Sequence, residues 1–120
     1  MLEAVFTALK AMRPPFMLHE YDIHQMIGIC LADAGFDFIH EAKIGAGCRI
    51  DYLVGRVGIE IKKGKPVVAT LCRQLARYAA CDGVESLIVI TQRSVRIPES
   101  VLGKPIRHLV LSQLWGVALP

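Results

Sequence analysis

The 120-residue sequence contains no apolar run approaching the ~20 residues needed to cross a bilayer. Its richest stretch, Ile23 to Phe38, is interrupted by His24, Gln25, Asp33 and Asp37. The N-terminus lacks the pattern of a signal peptide, because Glu3 stands where positive charge belongs and Lys10 and Arg13 break the apolar run. The expectation is a cytoplasmic protein with no membrane partner. Paired cysteines are also missing. Cys30, Cys48, Cys72 and Cys81 lie far apart with no C-x-x-C spacing, which argues against a structural zinc site and for free core thiols in a reducing compartment. There is no internal repeat, no low-complexity tract and no linker long enough to divide domains, so residues 1–120 read as one domain. Strong charge bias is absent: a net charge of +3 and a pI of about 8.8 permit a polyanionic partner without demanding one.

What is present supports a packed core, since 53% of the residues are hydrophobic and only 21% charged. Leu2 to Met12 reads as a short helix stopped by Arg13-Pro14-Pro15. A second helix is expected from Glu20 to Ala34, where Ile23, Ile27, Cys30, Leu31 and Ala34 form one helical stripe and Gly35 ends it. Strands follow at Phe36–Ile44, Arg49–Val54 and Val57–Lys62, the last two forming a hairpin around Gly55-Arg56-Val57-Gly58. A third helix over Val67–Ala80 carries Leu71, Leu75, Tyr78 and Ala79 on one face. Ser86–Thr91 suits a strand buried on both faces, Arg107–Leu111 a last strand, and Ser112–Gly116 a short helical end. This order predicts an α/β domain, a mixed sheet flanked by helices, with an extra helix in front.

The chemistry concentrates in residues 51–62, D-Y-L-V-G-R-V-G-I-E-I-K. Side chains alternate along a strand, so Glu60 and Lys62 share one face while Ile50, Tyr52, Val54, Val57, Ile59 and Ile61 suit the core. With Arg56 and Val57 as the turn, Asp51 lies opposite Lys62 and diagonal to Glu60, about 7–8 Å away at the backbone. Two carboxylates held that close repel, and one takes up a proton unless a cation neutralises them. Lys62 can offset one charge. A divalent metal offsets both, and oxygen-only ligands favour Mg²⁺ or Mn²⁺ over zinc. The same three residues also fit ordinary cross-strand ion pairing on a solvent-facing side.

At this point the chain resembles the PD-(D/E)XK nuclease superfamily, whose signature is an acidic residue on one strand followed by (D/E)-x-K on the next. Here these are Asp51 and Glu60-Ile61-Lys62. The predicted αβββαβ order matches that restriction-endonuclease-like core. Gln74-Leu75-Ala76-Arg77-Tyr78 resembles the Q-x-x-x-Y motif of the RecB-type branch, and Glu20 opens the first core helix where many members carry an acid. The proline that names the superfamily is replaced by Ile50.

The resemblance implies a metal-dependent phosphodiesterase. Asp51, Glu60 and the backbone carbonyl of Ile61 would bind Mg²⁺ or Mn²⁺, with Glu20 or His24 as a further ligand; the sequence does not choose between them. Lys62 and Gln74 would act on the attacking water or the phosphate, and Glu20 joins them in the catalytic set. Lys63, Lys65, Arg73, Arg77 and Tyr78 would contact nucleic acid. DNA is the expected substrate, with RNA left open. A homodimer or larger ring is expected, held by the apolar segment Leu109–Pro120 with Trp115, unless that segment packs on the domain's own core. Glu41 reads as a surface carboxylate, His19 as a helix-start residue, and His40 and His108 carry no signal. The competing readings are a non-catalytic nucleic-acid-binding module on the same fold and a small α/β interaction domain.

Overall fold

The computed structural model describes residues 1–14 and 20–118; the side chains of Glu20, Tyr21 and residues 115–118, and the whole of His19, lie outside that description. The helices are α1 (Leu2–Lys10), α2 (Glu20–Asp33), α3 (Val68–Ala79) and α4 (Leu111–Ala118). The strands are β1 (Ile39–Gly45), β2 (Cys48–Val54), β3 (Val57–Lys62), β4 (Ser86–Thr91), β5 (Ser100–Val101) and β6 (Lys104–Val110). They form one sheet in the order β1-β2-β3-β4-β6-β5. β1, β2 and β3 pair antiparallel, β4 lies parallel to both β3 and β6, and β5 pairs antiparallel with β6. The expected mixed α/β architecture is present, with the two-residue β5 as an addition too short to show a period.

Each face of the sheet has its own core. On one, Val5, Phe6 and Leu9 of α1, Ile23, Ile27 and Leu31 of α2, and Leu111 and Leu114 of α4 pack against Tyr52, Val54, Val57, Ile59, Ile61, Ile88, Ile90 and Leu109. On the other, Leu71, Leu75, Tyr78 and Ala79 of α3 pack against Ile50, Leu87, Val89 and Ile106. The alternation within β4 is the reason it is buried throughout: Leu87 and Val89 serve α3, Ile88 and Ile90 the opposite layer. Each such buried aliphatic side chain contributes about 1.5–3 kcal/mol relative to exposure. Leu109, Leu111 and Leu114 belong to the chain's own core, so this part of the C-terminal segment is already covered. Arg107 fastens α1 to β6 by pairing with Glu3 and lying 4.1 Å over the Phe6 ring.

The β2–β3 hairpin departs from the expected register. The turn is Gly55-Arg56, closed by Val54 opposite Val57. Gly55 takes φ +58° while Arg56 stays out of the left-handed region, the pattern of a type II′ turn with glycine first. A turn at Arg56-Val57 would deny glycine that place. The change moves the register by two residues; continued past its last pair, Tyr52–Ile59, it points Asp51 towards Glu60 rather than Lys62.

A second departure concerns Ile50. It joins the α3-side core with Ala42, whereas Tyr52 and Val54 join the α1/α2-side core. Strict alternation would put 50, 52 and 54 on one face. The pairing of β1 with β2 skips Glu41 and Asp51, and Glu41 adopts φ +53°. Both strands change face at this unpaired step. The first strand also begins at Ile39 instead of Phe36, because the Phe36 N–H closes the end of α2 on Leu31 O.

Candidate metal and active site

The face change at Asp51 frees its carboxylate from the sheet. The β2–β3 pairing ends at Tyr52–Ile59, and beyond it the Ile61 N–H donates to Asp51 Oδ2 at 2.7 Å. The carboxylate thus replaces a strand partner and is held against β3. Glu60, on β3 between β2 and β4, is 3% exposed. Its Oε2 lies 3.1 Å from Lys62 Nζ, while Oε1 is buried and has no hydrogen-bond partner among the described residues, with Asp51 and Tyr78 as its polar neighbours. Burial, and then the Asp51 charge, raise the Glu60 carboxyl to about 7, against the partial relief that Lys62 gives.

From the opposite wall α3 supplies Gln74 and Tyr78. Four residues apart on one helical face, they meet through a hydrogen bond from Gln74 Nε2 to the Tyr78 hydroxyl at 2.8 Å. Tyr78 is buried rather than displayed to solvent, and its ionisation is suppressed by that burial and by the neighbouring Glu60 carboxylate. Arg73 and Arg77 on the same helix are exposed, as are Lys63 and Lys65.

Asp51, Glu60, Ile61, Lys62, Gln74 and Tyr78 line one cleft of about 760 Å³. His24 reaches the same cleft, but its Nδ1 faces His40 Nε2 at 3.3 Å. Among the described residues no three His, Cys, Asp or Glu side chains are grouped to hold a metal. The Glu20 side chain, the alternative ligand, lies outside the described residues.

Sequence reading missed the part played by His40. It stacks on Tyr52 at 4.5 Å between centroids, and the Tyr52 hydroxyl donates to His24 O at 2.6 Å. This links β1, β2 and α2 behind the cleft. These contacts join residues 12 to 28 apart and leave no periodic trace in the sequence. Glu41 is exposed, as expected, yet also lines the cleft through its left-handed backbone. Thr91 Oγ1 and His108 Nε2 lie 2.9 Å apart, and burial lowers the pKa of His108.

Asp51 and Glu60 line the same cleft and interact electrostatically, and Glu60 Oε1 is unpartnered among the described residues; both are oxygen donors of the kind Mg²⁺ takes alongside water and phosphate. No family model matches the chain, and no curated protein or solved structure matches it significantly.

Proposed function

We propose that this protein is a metal-dependent nuclease on a restriction-endonuclease-like core, hydrolysing phosphodiester bonds in DNA. The observation that carries the reading is Glu60, a buried carboxylate with one oxygen unpartnered among the described residues, set beside Asp51 and ion-paired to Lys62. A second acid beside this buried pair adds repulsion that Lys62 relieves only in part, and a divalent cation would offset both carboxylates.

Asp51 and Glu60 would hold Mg²⁺ or Mn²⁺, with the Ile61 carbonyl as a further oxygen donor. When bound, the cation supplies Lewis acidity at the phosphate and lowers the pKa of a water. The hydrogen bond from Ile61 N–H keeps Asp51 oriented towards β3. Lys62 is half-buried at the cleft wall and brings positive charge to the phosphoryl oxygens as negative charge develops there. Gln74, held by Tyr78, offers its amide to the water or to a phosphate oxygen. The charged cleft suits recognition of backbone, ends or branched structure, alone or with a partner copy.

The test is cleavage of a labelled panel (linear, nicked, single-stranded and four-way-junction DNA, with an RNA control) in Mg²⁺, Mn²⁺ or EDTA. The reading expects metal-dependent cutting of DNA that Lys62→Ala removes. Metal-independent cutting refutes the metal site, and no cutting of any substrate refutes the nuclease and leaves a binding or interaction domain.

A further inference from the structure

Residues 61–81 and 86–98 hold seven of the 14 lysines and arginines and none of the 11 acidic residues. The fold brings their two loops together. The Gln92 N–H donates to Lys62 O at 3.3 Å, the Gly64 N–H to Gln92 Oε1 at 2.8 Å, and the Arg93 N–H to Gly64 O at 3.2 Å. These bonds link the segment after β3 to the segment after β4, at the end of the sheet where Lys62 lies beside Thr91. Lys63, Lys65, Arg93 and Arg96 are exposed there, and among the described residues none of the four takes part in an ion pair.

A cleft of about 790 Å³ runs alongside, between Lys65 and Val68 on one wall and Ser94 to Glu99 on the other. Glu99 is its acidic residue. Arg107 and His108 also border it, but Arg107 is committed to Glu3 and Phe6, and His108 faces Thr91. The free positive charge is therefore that of the two loops.

We propose that the cross-tied loops 63–65 and 92–98 form a basic platform beside the carboxylate cleft that grips the DNA phosphodiester backbone flanking the scissile bond, with Arg93 and Arg96 as its outer contacts. The identity of the polyanion rests on the nuclease reading; the platform itself rests on the loop geometry. An unbroken run of one sign suits a ligand with a negative charge at every repeat. Backbone hydrogen bonds fix the loops before binding, so little ordering entropy is lost when the strand docks. Lys62 belongs to both features, which places the gripped strand next to Asp51 and Glu60.

The experiment is fluorescence anisotropy of a labelled duplex with the full chain in EDTA, across a salt series. Wild type is compared with Arg93→Ala/Arg96→Ala and with Arg56→Ala, whose guanidinium sits at the β2–β3 turn paired with Glu85. Two lost phosphate contacts should lower the slope of log K against log salt by about 1.8 and weaken binding about 60-fold at 0.1 M salt. Arg56→Ala should leave the slope unchanged. Thermal melts check that the double variant remains folded. An unchanged slope in the double variant, or an equal loss in Arg56→Ala, overturns the platform. Wild-type cutting with an unchanged slope refutes the platform alone. A platform-dependent slope in a protein that never cuts refutes the catalytic reading alone, and no binding by wild type in EDTA refutes the platform.

Discussion

Replacing Glu60 by glutamine should stabilise the metal-free protein at alkaline pH while abolishing its activity. The carboxyl titrates near 7 in the folded chain against an ordinary 4.5, raised first by burial and then by Asp51. Between those values the folded state binds more protons than the unfolded state, so stability falls as pH rises through the window. The native arrangement is unpenalised below about pH 4.5 and carries the full cost above about 7. At 1.36 kcal/mol per unit, the shift corresponds to about 3 kcal/mol once Glu60 is ionised. Between pH 5 and pH 8 the change is about 2.5 kcal/mol, or about 10 °C in melting temperature for a chain this long. Glutamine has no such titration. The assay is circular-dichroism melting in EDTA from pH 5 to 8, read as wild type minus Glu60→Gln. The difference should turn against wild type as pH rises, and Mg²⁺ should restore wild type at pH 8 without affecting the variant. Parallel pH profiles for the two proteins would refute the reasoning, because Glu60 would then be an ordinary carboxylate.

Other consequences follow from local geometry. Leu102 is exposed and left-handed at φ +51°, beside Gly103 in the β5–β6 turn; Leu102→Asn, which suits that conformation, should raise stability by about 0.5–1 kcal/mol in urea unfolding and leave cleavage unchanged. A Cβ at Gly58 would stand 2.6 Å from Ile50 Cδ1 and 3.0 Å from Leu87 Cδ2, both in the α3-side core. Gly58→Ala should therefore cost about 1–3 kcal/mol in the same measurement. Tyr78→Phe strands the Gln74 amide, and should cost about 1 kcal/mol of stability and at most about tenfold in cleavage rate, well short of the loss in Lys62→Ala.

Much of this architecture was legible because the hydrophobic pattern was strong. Leu71, Leu75, Tyr78 and Ala79 have one obvious helical face, and Ser86–Thr91 has nowhere to go but the sheet centre. Glu60 and Lys62 share a face by parity, which survives a register error of two residues, but the Asp51 carboxylate is placed by the face change at the Glu41–Asp51 step, which parity does not foresee. The register itself depended on which residue the turn would place left-handed, and glycine's preference for the first position decided it. Ile50 was misassigned because alternation assumes a regular ladder, and the Glu41–Asp51 step interrupts it. The basic loops illustrate the remaining limit. Lys62 to Lys65 is visible as a cluster, but its union with Arg93 and Arg96 depends on three hydrogen bonds between segments nearly 30 residues apart.

The proposed function requires that Asp51 and Glu60 jointly hold a divalent cation. Calorimetric titration of Mg²⁺ into the protein at pH 7, repeated in buffers of different ionisation heat, measures both the binding and the protons released. Because Glu60 titrates near 7, the account predicts binding with release of about half a proton per chain, lost in Asp51→Asn. No binding heat, or binding that Asp51→Asn leaves intact, would contradict it.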